Sequence, residues 1–516
     1  MVSFFDSQMS GKLRLFWHFF LALFFVSCLE AKESVLNLSI SSNPSRLNPI
    51  LSTDSASSEI SNWIFSGLFK YDKNGKIVTD IAKSYKFVTP TKLEIEIRNN
   101  VFWHDGQLLD ADDVIFTFNA IRSPNVFAPI SGDFNKVKNI KKISKMKLLV
   151  EYSEPYYKAL EIWMVGLLPR HILQHEKNLM TSKFNKTPIG TGPYRLRNFE
   201  ISKDIELDSN EKYYDGSPKI KKIKYKFLPD PTTAFLMLGQ KKIDIEGLTP
   251  LQIDRQIDDN FKNNFSVYET TSFAYTYLGF NLKNKKFSNP KIREALSLAV
   301  NRQEIIDIMF FGHAQVCYGP FLPKTFAYNE KFEKYEFNLL KAKKILKSLG
   351  YDEKNPLEFE VVTNANNSIR VNTAEILQYQ LSKINVHMKI KVMEWQAFLN
   401  TVVTPKKFEA IILGWSLSLL PDAFPIWHSK SDFIGGFNIG GYKNNQVDKL
   451  IEEASTTIDE SDLSKKYKKI FELIRNDNPC LFLYIPNSIT AVNKQIKPID
   501  PALTGIMHNQ KDWIKD

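Results

Sequence analysis

The stretch from residue 357 to residue 415 constrains the fold most. It reads "LEFEVVT", "IRVNTAEILQYQLSKI", "HMKIKVMEW", "QAFLNTVVT" and "FEAIILGW" in succession. The first, third and fifth pieces are short apolar or alternating runs, and the second and fourth carry apolar residues at helical spacing. Alternating strands and helices predict a mainly parallel sheet with helices on both faces, an α/β architecture. Ligands of such sheets sit beyond the carboxyl ends of the strands. The loop leaving the last strand, "GWSLSLLPDAFPIWHSKS" (414–431), is therefore a candidate pocket wall by position alone.

The remaining chain extends this pattern. "SVLNLSIS" (34–41) and "TKLEIEIRNN" (91–100) alternate as strands, and "SSEISNWIFSGLF" (57–69) has helical spacing. "DADDVIFTFNAIR" (110–122) opens with carboxylates at the positive end of a helix dipole. A chain of 516 residues exceeds one ordinary core, so about two or three domains are expected. No repeat or low-complexity linker separates them, which predicts an extensive shared interface.

The N-terminus predicts export. Lys12 and Arg14 precede a 12-residue apolar run, "LFWHFFLALFFV" (15–26), which is too short to span a bilayer. A charged start, an apolar middle and a small-residue exit over 1–31 read as a secretory signal. Cleavage after Ala31 would release a soluble periplasmic protein, the favoured exit. The alternative is "FVSC", where Cys28 would take a lipid anchor. Beyond this segment Cys317 and Cys480 are too few for a disulfide scaffold or a thiolate zinc site, and either one bridge or two buried thiols remain open. The net charge of +11 is strewn, as in "KNIKKISKMK" and "KIKKIKYK", whose alternation suits strands with one solvated face. A concentrated basic patch with interleaved aromatics is missing, which argues against nucleic acid as a partner.

Signatures of catalysis are weak. "HILQH" sets His171 and His175 one helical turn apart but lacks the internal Glu of a zinc hydrolase. "GTGPY" (190–194) has Pro where a phosphate-binding helix must start, and the adjacent His and Asp of "WHDG" (103–106) would diverge on a strand. Both read as turns. No cofactor is implied and no acid–base pair can be assembled, so the chain reads as a non-enzyme.

A series of strings in fixed order resembles one family. They include "LNPILSTD", "IFSGLFKYDKNGKI", "IRNNVFWHDGQLLDADDVIFTFNAI", "LLPRHIL" and "TPIGTGPYRLRNF". "FNLKNKKFSNPKIREALSLAVNRQEII", "KAKKILKSLGY", "FEAIILGW" and "GGFNIGGYKNNQVDKLIEEA" follow. Over nearly the whole mature chain this resembles the substrate-binding proteins of bacterial ABC importers, in solute-binding protein family 5, with its oligopeptide-, dipeptide- and nickel-binding members. The resemblance implies a two-lobed periplasmic-binding-protein-like fold of class II, closing on its ligand like a flytrap. The first lobe would comprise 34–60, 186–281 and 486–516, with 61–185 as an inserted subdomain, and the second lobe 282–485. The implied function is capture of a peptide or related polar solute by a monomer, and its delivery to an ABC permease in the inner membrane.

The same resemblance assigns Trp415 to the cleft. Peptide-binding relatives place an Asp three residues further on for the peptide's amino group, where this chain has Ser418. Asp422 would replace it if the loop were tighter; otherwise it only ends the loop in a "PD" turn. Dipeptide-binding members hold the peptide carboxylate with an Arg after the strand matching "LEFEVVT", where Asn364 stands and Arg370 lies further on. With both ionic anchors out of register, a longer peptide held by its backbone, or another polar solute, fits better than a dipeptide. Trp395, Trp427, Tyr275 and Tyr442 are further candidates for aromatic side-chain pockets. A nickel or nickel-chelate reading rests on His428, 13 residues after Trp415. Outside transport, an exported peptidase or a holdase chaperone are the alternatives.

Overall fold

The structure is a computed structural model, which describes residues 34–516 except Glu333 and Asn366. The signal segment and Cys28 lie outside the described residues. The first lobe is built on a four-stranded sheet in the order Val35–Ile40, Lys222–Phe227, Asp204–Ser209, Tyr194–Glu200. The first two strands are parallel and the others antiparallel. Strand alternation turns Leu36, Leu38 and Ile40 inward.

The segment after the first strand forms a second, wholly antiparallel sheet in the order Ala82–Thr89, Lys92–Ile97, Lys147–Tyr152, Val137–Ser144. On Val137–Ser144 the side chains of Val137 and Ile140 point inward while Lys138, Lys141 and Lys142 are exposed, so the lysine-rich run is a solvated sheet face. The carboxylates of "DADD" cap the helix Ala111–Arg122. Asp110 accepts from the Asp112 amide at 2.9 Å, and its own amide donates to Asp113 Oδ2 at 3.0 Å. Leu36 and Leu38 share one continuous apolar core with Leu93, Ile95 and Trp163, so the insertion is fused to the first lobe.

The second lobe holds the predicted strand–helix alternation. Leu357–Asn364 runs parallel to Val386–Met393 on one side and to Ala410–Ser416 on the other. Alternate residues of the same strands feed two cores: Leu278, Ile412 and Leu481 on one face, Tyr277, Ile411 and Phe482 on the other. The sheet as a whole is mixed rather than mainly parallel. Ala274–Phe280 and Cys480–Asn493 join it antiparallel because they enter from the other lobe, not through a crossover helix.

Cys480–Asn493 serves both lobes. Its first half pairs with Ala274–Phe280 and its second half with Phe265–Thr271. The lobes therefore exchange chain at residues 272–273 and around Pro486. Ala274–Phe280 is bonded on both sides within the sheet of the second lobe. "FSVYETTSFAYTYLGF" (265–280) has no Gly or Pro at the handover, so only pairing reveals it.

Candidate functional site: the cleft between the lobes

The loop after Ala410–Ser416 is built to lean across the cleft. Leu417 N donates to Phe273 O at 2.7 Å, which ties the loop to the interlobe crossing. The Trp415 indole lies parallel to Tyr277, with centroids 6.3 Å apart and 9° between planes, and meets the edge of Phe437 at 5.8 Å. Gly414 admits this strand end: a Cβ there would stand 2.9 Å from Arg370 Nη2 and 3.0 Å from Tyr275 O. Trp415, Trp427, Phe437, Phe321 and Asp422 wall a cavity of about 300 Å³. A second cavity of about 380 Å³ is walled from the first lobe by Asn62, Phe134, Glu161 and Met164. Asp133, Lys158 and Ser418 line both, so the two spaces adjoin.

Lys158, Asp133 and Glu161 are functional candidates that sequence reasoning missed. Lys158 Nζ lies 2.8 Å from Asp133 Oδ1, 3.8 Å from Glu161 Oε2 and 3.7 Å from Asp422 Oδ2, the last across the cleft. The signal was a charge embedded in an apolar run, "YYKALEIW" (156–163), where an ordinary surface lysine is out of place. Burial pushes the Asp422 and Glu161 carboxyls above their usual range, against the pull of Lys158. Burial works to lower the Lys158 ammonium, but Asp133, Glu161 and Asp422 together outweigh it and the shift is upward. Tyr71 donates to Glu161 Oε1 at 2.5 Å, while Glu161 Oε2 is buried without a hydrogen-bond partner.

The predicted site residues divide. Ser418 lines both cavities, and its hydroxyl donates to Leu420 O at 2.6 Å. Asp422 both faces the cleft and ends the loop, since its Oδ1 accepts from Phe424 N at 3.0 Å. Asn364 and Arg370 meet each other, Nη1 to Oδ1 at 3.1 Å, with the guanidinium beside Gly414; neither lines the two cleft cavities. Burial lowers the Arg370 pKa, opposed by Tyr484 and Tyr277.

Tyr275 lies in the core and Tyr442 walls a small cavity of about 40 Å³ with Trp415, Trp427 and Phe437. Tyr275 is 1% exposed and its ring packs against Phe482. The Tyr442 hydroxyl donates to Asp477 Oδ2 at 2.6 Å, and its ring supports Trp427 from behind. Trp395 opens the short helix Trp395–Phe398, packs on Phe398 and lines neither cavity.

His428 lies away from both cavities. It is 1% exposed, its Nδ1 accepts from Lys430 N at 3.0 Å, and its Nε2 lies 3.3 Å from Glu452 Oε1 on the helix Asn445–Ser455. Its ring is thus spent on packing between helices and lines neither cavity. Cys317 and Cys480 are unbridged buried thiols. The two dismissed turns meet each other: Gly190 N donates to His104 Nδ1 at 3.2 Å, and His104 Nε2 lies 3.1 Å from Gly192 O.

Comparison with known proteins bears on this geometry. The model of the bacterial extracellular solute-binding proteins, family 5 Middle, matches residues 76–436. The oligopeptide-binding protein AppA of Bacillus subtilis is 30% identical over 91% of this chain and 89% of its own. Its structure in complex with a nonapeptide superposes with a TM-score of 0.79 at 29% identity, covering 94% of this chain and 100% of that one. NikZ from Campylobacter jejuni, in complex with Ni(L-His), superposes with a TM-score of 0.80 at 28% identity, covering 94% and 99%.

Proposed function

Since the chain belongs to the family 5 bacterial extracellular solute-binding proteins, we propose that it captures a peptide between its lobes and delivers it to an ABC permease in the inner membrane. The observation that carries this reading is the pair of adjoining interlobe cavities, about 300 and 380 Å³, roomy enough for several residues of an extended chain. The first is walled by large aromatic faces, Trp415, Trp427 and Phe437, which accept varied side chains through broad apolar contact. The relative with the same fold and 29% identity holds a nonapeptide, in keeping with a longer cargo than a dipeptide.

The mechanism is a population shift. Cargo touching both lobes stabilises the closed form by its differential affinity for that form, and closure presents a composite surface to the permease. Release from the cell membrane as a periplasmic monomer follows from cleavage after Ala31, and lipid attachment at Cys28 is the competing outcome. No helix among the described residues is long and apolar enough to cross a membrane. Native mass spectrometry of gently purified protein tests the function: a pool of short peptides in the cleft supports it. A single small solute or metal complex in their place would overturn it.

A further inference from the structure

Lys158 stands where carboxylates of both lobes converge, with Asp133 and Glu161 on its own side and Asp422 Oδ2 at 3.7 Å on the other. Its side chain is 9% exposed. Asp422, the one carboxylate of the 414–431 loop, is otherwise engaged, because its Oδ1 accepts the Phe424 amide. The preceding residue fixes the approach: Tyr157 donates to Pro421 O at 3.0 Å and accepts from Tyr467 at 3.2 Å. In the closed form, then, the loop carboxylate meets a cation that the protein itself supplies from the opposite lobe.

Resting on the peptide reading above, we infer that Lys158 is an internal counter-cation: it holds Asp422 across the closed cleft and so frees recognition from the cargo's amino terminus. Peptides with free and blocked amino termini are then bound alike, and part of the closure energy belongs to the protein. Removing the cation would leave three carboxylates without their shared counter-charge, a site that an incoming ammonium would neutralise. Lys158 is thus a specificity-determining residue.

Isothermal titration with a synthetic nonapeptide and its N-acetylated twin tests this. The unaltered protein is expected to bind both within about threefold, and Lys158→Met to favour the free amine by roughly tenfold or more, a factor equivalent to about 1.4 kcal/mol. Adding Asp422→Asn to Lys158→Met should reduce that gain. A tenfold preference for the free amine in the unaltered protein, or an unchanged ratio in Lys158→Met, would overturn the inference.

A ligand-free arm uses spin labels, one on each lobe. Lys158→Met, and Asp422→Asn as a second variant that keeps the lysine, should both shift the distances longer, and unchanged distributions would overturn the inference. If neither peptide binds, the peptide reading falls, while the ligand-free distances still decide the role of Lys158.

Discussion

Tyr157→Phe removes two cross-lobe hydrogen bonds without changing shape. In the closed form the Tyr157 hydroxyl donates to Pro421 O and accepts from Tyr467. Burial holds its pKa well above the ordinary value, with Tyr467 and Asp422 adding to the shift, so it remains a donor throughout the physiological range. In an open form the same hydroxyl and the Pro421 carbonyl regain water, so the substitution costs that form almost nothing. The net worth of each such hydrogen bond is about 1 kcal/mol, so losing both should disfavour the closed form by about 2 kcal/mol. Cargo that binds the closed form then binds roughly 30-fold more weakly, with the decrement appearing in affinity and not in fold. Titration calorimetry with the co-purifying cargo measures the affinity, and thermal unfolding of the ligand-free protein provides the control. Unchanged affinity would refute the reasoning. So would a loss of ligand-free stability large enough to account for the weaker binding, since the bonds would then hold the lobe together and not the closure.

Trp415→Ala removes the broadest aromatic face of the cleft and should cost about 2 kcal/mol of binding, roughly 30-fold, with folding retained; calorimetry and circular dichroism check the two halves. Burial pushes the His104 pKa down to about 4 from 6.5, so neutral imidazole contributes stability above the unfolded value that is lost as pH falls through the folded one. Urea unfolding should show a loss of up to about 3 kcal/mol across that window, and His104→Gln should flatten the slope.

Much of the second lobe was legible in sequence because its signals are local. The periodicities of "LEFEVVT" and "FEAIILGW" depend on residues a few positions apart, and so does the parallel unit they form. Family strings and loop position led to Trp415 and Ser418 in the same way, and both line the cleft. Aromatic identity alone did not separate cleft from core: Tyr275 is the cross-strand partner of Trp415 on the same sheet face, yet its ring is covered by Phe482. His428 misled for the same reason, since spacing from Trp415 says nothing about the helix Asn445–Ser455 that covers its ring.

By itself, then, the sequence determined strand and helix identity, the basic solvated faces and the family, all of which follow from short-range pattern or ordered similarity. Only the tertiary structure decided where the lobes exchange chain and which charges meet between them. Ala274–Phe280 takes its lobe from partners more than a hundred residues away in sequence. Lys158 and Asp422 stand 264 positions apart, and closing the lobes sets them 3.7 Å from each other. An ion pair across a cleft depends on the relative placement of two domains, which no local pattern of residues encodes.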